Sequence, residues 1–198
     1  MKLSNGRNLQ SPKGMVTRPT TSRVRFAVMN RLQYKLLHAR WLDLFCGSGI
    51  MGCEALLAGV KAVVAMDKEY NAVVTSTYNL QITQKCINYP SSIAVCKTDS
   101  LHWLDTQVGH VRPFDIIYID PPYSDGVYEI VLYKIAEYRW LNSNGIVVVE
   151  CDNSTFPFDD QVWNLLDRRN YGKITLLYLS LRVQHHDGTG SKLLQKVL

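Results

Sequence analysis

Residues 41–59 read WLDLFCGSGIMGCEALLAG, and this run decides the fold class. Trp41 to Phe45 is apolar apart from Asp43, the mark of a strand buried on both faces. Cys46-Gly47-Ser48-Gly49 then breaks the strand. Two glycines let the backbone turn sharply and approach a ligand closely. A helical stretch follows through Glu54 to Leu57 and stops near Gly59. Strand, glycine loop and helix make the first unit of a parallel α/β sheet.

The alternation continues downstream. KAVVAMD (61–67) predicts a second strand, and 70–84 a helix weakened by its Thr and Val. SIAVCKTD (92–99) predicts a third strand and LHWLDT (101–106) a short helical turn. FDIIYID (114–120) predicts a fourth strand, cut off by Pro121-Pro122, and 125–138 a helix. Asn144-Gly145 predicts a turn into the strand IVVVE (146–150). WNLLDRR (163–169) and KITLLYLSLR (173–182), joined through Asn170-Tyr171-Gly172, predict a closing hairpin.

Upstream, Thr21 or Ser22 is placed to cap a helix whose Val24, Val28, Leu32 and Leu36 share one face. Arg25, Arg31 and Lys35 fall off that stripe, so their charge is expected to point outward. The sum is an α/β fold with a mostly parallel seven-stranded sheet, helices on both faces and an antiparallel terminal hairpin. Three segments are expected: a basic arm at 1–20, the α/β domain at 21–184 and a polar tail at 185–198. Gly6, Pro12, Gly14 and Pro19 make the arm extended or a loose hairpin.

Composition narrows the class. The chain has 198 residues, 46% hydrophobic and 20% charged, which excludes disordered and collagenous proteins. No apolar run approaches the ~18 residues of a membrane span, and residues 1–14 lack the apolar core of a secretory signal. Five cysteines without a CxxC pair fit reduced thiols in the cytoplasm, with no metal site expected. The first 40 residues hold nine Lys/Arg and no Asp or Glu, whereas the other 158 hold 13 basic and 17 acidic residues. A basic segment on a mildly acidic body is the footprint of a nucleic-acid partner.

Ligands of such sheets sit beyond the carboxyl ends of the strands, and four strand ends here carry acids. Asp43 precedes the glycine loop and suits a cationic amino group. The loop lacks both the third glycine of a dinucleotide fingerprint and the Gly-Lys of a phosphate loop, so a nucleoside without pyrophosphate fits better. Asp67, about 20 residues past the loop, suits ribose hydroxyls, or else is a surface acid beside Lys68. Asp99-Ser100 suits the amine of an adenine, or else Asp99 caps the next helix. Asp120-Pro121-Pro122-Tyr123 is the most specific. Two prolines fix the Asp120 carboxylate and the Pro121 carbonyl as acceptors for a planar amine, and Tyr123 offers a face on which an extruded base stacks.

DPPY after the fourth strand and DLFCGSG after the first resemble the class I, Rossmann-like S-adenosylmethionine-dependent methyltransferases of exocyclic amines. The run Gly6, Leu9, Ser11-Pro12-Lys13-Gly14, Arg18-Pro19-Thr20-Thr21-Ser22-Arg23-Val24-Arg25 and Asn30 is similar to the N-terminal signature of the RsmD family. DLFCGSGIMGCEAL, MDKE, TDSLHWL, FDIIYIDPPY and GIVVVE follow in that family's order. The resemblance implies a 16S ribosomal RNA (guanine(966)-N2)-methyltransferase that uses S-adenosylmethionine, yields S-adenosylhomocysteine and needs no metal. It implies Asp43, Phe45, Gly47, Ser48, Gly49, Asp67, Lys68, Asp99 and Ser100 for the cofactor. It implies Asp120, Pro121, Pro122 and Tyr123 for the guanine, and Arg18, Arg23 and Arg25 for RNA phosphates. The partner is small-subunit ribosomal RNA, free or in an assembling particle.

The chain departs from the family at Ser22, Phe26 and Ala65, where the family has acids. Ala65 is where the ribose-binding acid is expected, so Asp67 is the candidate substitute. Two other readings stand beside this one: an adenine-N6 DNA methyltransferase, which shares DPPY, and a non-catalytic RNA-binding assembly factor.

Overall fold

The computed structural model describes residues 1–12, 20–122, 127–152 and 158–182. The elements run α1 (Ser22–Leu36), β1 (Arg40–Asp43), α2 (Ile50–Leu57), β2 (Ala62–Asp67), α3 (Tyr70–Gln84) and β3 (Ser92–Lys97). They continue α4 (Ser100–Thr106), β4 (Phe114–Ile119), α5 (Val127–Glu137), β5 (Leu141–Asp152), β6 (Trp163–Tyr171) and β7 (Ile174–Leu181). One seven-stranded sheet has the order β3-β2-β1-β4-β5-β7-β6. All pairings are parallel except the two made by β7. The expected α/β fold and closing hairpin are both present.

Alternation along the strands splits the interior into two cores. Trp41, Tyr118 and Val148 face α1, α2 and α3, meeting the stripe Val24, Val28, Leu32 and Leu36. Leu42, Ile117 and Val149 face α4 and α5, meeting Trp103, Val131 and Ile135. Both faces of β1 and β4 are therefore covered, which is why their sequences are nearly continuous apolar runs. The chain leaves β1 for β2 and β3 on one side, then returns to β4 on the other. That reversal opens a crevice beyond the carboxyl ends of β1 and β4.

Three expectations are corrected. Asn144-Gly145 lies inside β5 rather than ahead of it. Phe114 pairs with Leu141 and Ile116 with Ile146, so two steps along β4 meet five along β5 and the extra residues bulge. Arg25 does not point outward. It is only 7% exposed, its Nε donates to Glu54 at 3.4 Å, and its other nitrogens donate to the carbonyls of Thr20 and Lys2 at 2.8 and 2.7 Å. A buried carboxylate on α2 is a stronger partner for a guanidinium than solvent one turn into α1. The first 12 residues form a hairpin, bridged at Lys2 and Asn8, but not a loose one. Leu3 and Leu9 sit in the α1–α3 core, and Ser4 donates through N and Oγ to Glu54 at 3.0 and 2.6 Å. The expected tail at 185–198 lies outside the described residues, as does part of the expected arm.

Candidate active site

The crevice is a cleft of about 750 Å³. Asp43, Phe45, Gly47, Ser48, Asp67, Lys68, Asp99 and Ser100 line one part of it. Asp120, Pro121 and Pro122 line another. Of the residues assigned to cofactor, Gly49 alone is not on the wall. Its φ of +74° and a virtual Cβ 2.9 Å from Ser76 Cβ explain it instead: only glycine allows this turn against α3. Gly47 adopts φ +50° with open space around it, so its backbone is accessible to a ligand.

Each strand-end acid has a defined environment. Asp43 is 1% exposed and accepts from the Phe45 N–H, while its Oδ1 has no hydrogen-bond partner among the described residues. Burial, with Asp67 nearby, raises its pKa to about 7. Asp67 Oδ2 accepts from Gly47 N at 3.0 Å and Oδ1 from Glu69 N at 2.9 Å, which ties the glycine loop to β2. Ala65 is fully buried within β2 and does not reach the cleft wall. Asp99 caps α4, accepting from Leu101 N and His102 N at 2.9 and 3.1 Å, and still faces the cleft. Ser100 donates its hydroxyl to the Leu44 carbonyl.

Asp120 takes a hydroxyl hydrogen bond from Thr20. Its pKa is raised well above the usual range, first by desolvation and then by the charges of Glu150 and Asp43. Glu150, which the sequence reading left unassigned, lines the same cleft. Tyr118 donates to its Oε2 at 2.5 Å. An acid closing the apolar run of β5 was the signal available, the same one that singled out the other four. Met1, Ser11, Pro12 and Thr20 also line the cleft, so the N-terminal segment helps build it. Fully buried Asn79 holds this together: its Nδ2 donates to Ser48 O and Gln10 O at 2.9 and 3.0 Å, and its Oδ1 accepts from Gln10 N at 3.0 Å.

The basic residues are dispersed. Arg23 is exposed, its guanidinium 5.4 Å from the Tyr171 ring centroid. Arg25 is spent on Glu54, as above. Arg31 bonds Asp167 at 3.0 Å, so the basic first fifth does meet acids of the body. Arg18 and Tyr123 lie outside the described residues. Among the described residues no group of three His, Cys, Asp or Glu side chains is placed to hold a metal, and no helix is long and apolar enough to cross a membrane.

Comparison with known proteins identifies the family. The model of conserved hypothetical protein 95 matches residues 3–180. The ribosomal RNA small subunit methyltransferase D of Escherichia coli is 30% identical over 172 residues, covering 85% of this chain and 82% of that one. Its namesake from Haemophilus influenzae is 29% identical over 173 residues, covering 87% and 88%. The solved structure of yhhF from Escherichia coli superposes with a TM-score of 0.78 at 26% identity, covering 93% of this chain and 99% of that one. The chain therefore belongs to the conserved hypothetical protein 95 family, the RsmD family whose motifs its sequence carries.

Proposed function

We propose that this enzyme transfers a methyl group from S-adenosylmethionine to the N2 amine of a guanine in small-subunit ribosomal RNA. The carrying observation is that one cleft joins Asp120-Pro121 to the Gly47 loop and to an unpaired, buried Asp43 Oδ1. Relatives named ribosomal RNA small subunit methyltransferase D support the RNA class. The RNA is met in the cytoplasm, free or in an assembling particle.

The residues fit the cofactor. Asp43 Oδ1 is an orphaned acceptor that a cationic amino group would satisfy, and Gly47 leaves its backbone open to the ligand. Asp67 keeps lone pairs for ribose hydroxyls beside those used by Gly47 and Glu69, and so replaces an acid at position 65. Phe45, Ser48, Lys68, Asp99 and Ser100 complete the nucleoside end. S-adenosylmethionine supplies a methyl group already activated on its sulfonium.

At the other end, the Asp120 carboxylate and the Pro121 carbonyl accept the two amine hydrogens and aim the nitrogen lone pair. As the new N–C bond forms, the nitrogen proton passes to an Asp120 carboxylate oxygen. Burial and nearby carboxylates make that oxygen a stronger base than an ordinary aspartate. Tyr123 and Pro122 border the base, and Arg18 and Arg23 hold phosphates. Positioning of this kind is worth ~7–11 kcal/mol of barrier.

Two variants test the assignment. Asp120→Ala should abolish turnover and leave S-adenosylmethionine affinity within a few-fold, with Asp120→Asn less damaged. Asp67→Ala should weaken cofactor binding by about tenfold or more in calorimetry. Wild-type turnover in the first, or wild-type affinity in the second, contradicts the role of that residue.

A further inference from the structure

The β4–β5 register aligns Tyr118 with Val148 and Ile119 with Val149. Asp120 follows directly on the end of β4 and Glu150 directly on Val149, so the two acids come next along neighbouring strands, and the charge of Glu150 acts on Asp120. Alternation turns both side chains away from Ile119 and Val149, and both line the cleft. Glu150 is held at two points: Tyr118 donates to its Oε2 at 2.5 Å, and the Tyr128 hydroxyl donates to its carbonyl at 3.1 Å. A residue 7% exposed, tied to Tyr118 through its carboxylate and to Tyr128 through its carbonyl, and lining the same cleft as the amine-binding aspartate, is placed to read the base.

Resting on the reading of this cleft as an amine methyl-transfer site, we infer that Glu150 selects guanine over adenine by accepting the ring N1–H next to the amine held by Asp120. Guanine presents two neighbouring donors, N1–H and the N2 amine. Adenine presents an amine beside a bare N1 lone pair. An ionised carboxylate only accepts, and its two oxygens have about four lone-pair sites, so one carboxylate can serve a base as well as a tyrosine hydroxyl. Two adjacent carboxylates match guanine. Adenine would set a lone pair against a buried carboxylate in place of a donor, a mismatch that polar sites reject strongly. Burial first, and then the charge of Glu150, make Asp120 hard to ionise, and a donor edge set against both acids offsets that second cost.

The test uses the small-subunit RNA segment that the wild-type protein methylates, synthesised with guanine or 2-aminopurine at the mapped position. 2-Aminopurine keeps the N2 amine but carries a lone pair at N1. The wild type should prefer guanine in kcat/KM and in RNA binding by about 10- to 100-fold beyond the preference left in Glu150→Gln. The carboxamide can donate to the bare N1, so that variant's preference should narrow. Loss of O6 is common to both proteins and cancels. S-adenosylmethionine affinity should be unchanged in Glu150→Gln. If that variant does not fold, Tyr118→Phe, which removes one anchor of the carboxylate and keeps the carboxylate itself, should narrow the preference several-fold. An unchanged preference in the folded variant overturns the inference. A wild-type protein that methylates no guanine in this RNA overturns the underlying reading instead.

Discussion

At the scale of single residues, Asp43 and Asp120 are acids kept in an environment that resists their charge. Asp43 shows the consequence most clearly. Its pKa is raised to about 7 in the folded protein against 3.8 for the free side chain. Between those values the folded state holds a proton that the unfolded state has lost. Asp43 therefore lowers stability as pH rises through this window, and stability returns as pH falls toward 4. A cationic ligand reverses the preference by favouring the carboxylate. Cofactor affinity should be full above pH 7 and fall about tenfold per pH unit below it. Asp43→Asn should remove that dependence, weaken binding at pH 8 and raise Tm at pH 8. Calorimetry at pH 6 and 8, with thermal melts, checks all three. A flat affinity profile in the wild type would exclude Asp43 as the partner of a cation. The Asp43 motif was legible because strand-end acids beside glycines have a chemical use. Glu150 is harder to see because β5 runs on past it to Asp152, so it closes an apolar run without closing its strand.

At the scale of elements, the N-terminal hairpin and α3 act together on the glycine loop. Asn79 on α3 bonds Ser48 of the loop and Gln10 of the hairpin, and Met1, Ser11 and Pro12 border the cleft. Residues 1–12 thus belong to the catalytic body, whatever their charge does toward RNA. Leu3 and Leu9 are both buried, and at ~1.5–3 kcal/mol each they contribute ~3–6 kcal/mol. Deleting residues 1–12 should lower Tm and weaken S-adenosylmethionine binding. Asn79→Ala should do both to a lesser degree, raising the cofactor Kd several-fold while sparing the fold. Unchanged affinity in both variants would show that the loop is held without this link. Periodicity could not reveal the arrangement. It gave α3 at 70–84 and the apolar stripe of α1 correctly, because those signals are local. The Asn79 bonds span 69 and 31 residues, and the Arg25–Glu54 pair spans 29, so only the folded chain brings them together.

Across the whole molecule, topology sets where the cleft lies and charge sets which surfaces could meet a phosphate backbone. The mostly parallel sheet and its antiparallel closing hairpin were readable from the alternation of apolar strands and helices, since parallel strands need crossovers; the strand order, whose reversal makes the crevice, came from the folded chain. The charge map was only half readable. Nine basic residues without a nearby acid in sequence suggested an unspent surface, yet Arg25 and Arg31 find Glu54 and Asp167 in space. Arg23 remains exposed, so it should carry the phosphate contact that Arg25 cannot. Arg23→Ala should reduce the log–log salt slope of RNA binding by about one, and Arg25→Ala should act mainly through stability. Equal slopes for Arg23→Ala and wild type would place the phosphate grip elsewhere. The central claim concerns the product. Small-subunit RNA lacking the modification, incubated with S-adenosylmethionine and this protein, then digested to nucleosides, should yield N2-methylguanosine with wild type and none with Asp120→Ala. N6-methyladenosine from the wild type, or no methylated nucleoside at all, would contradict it.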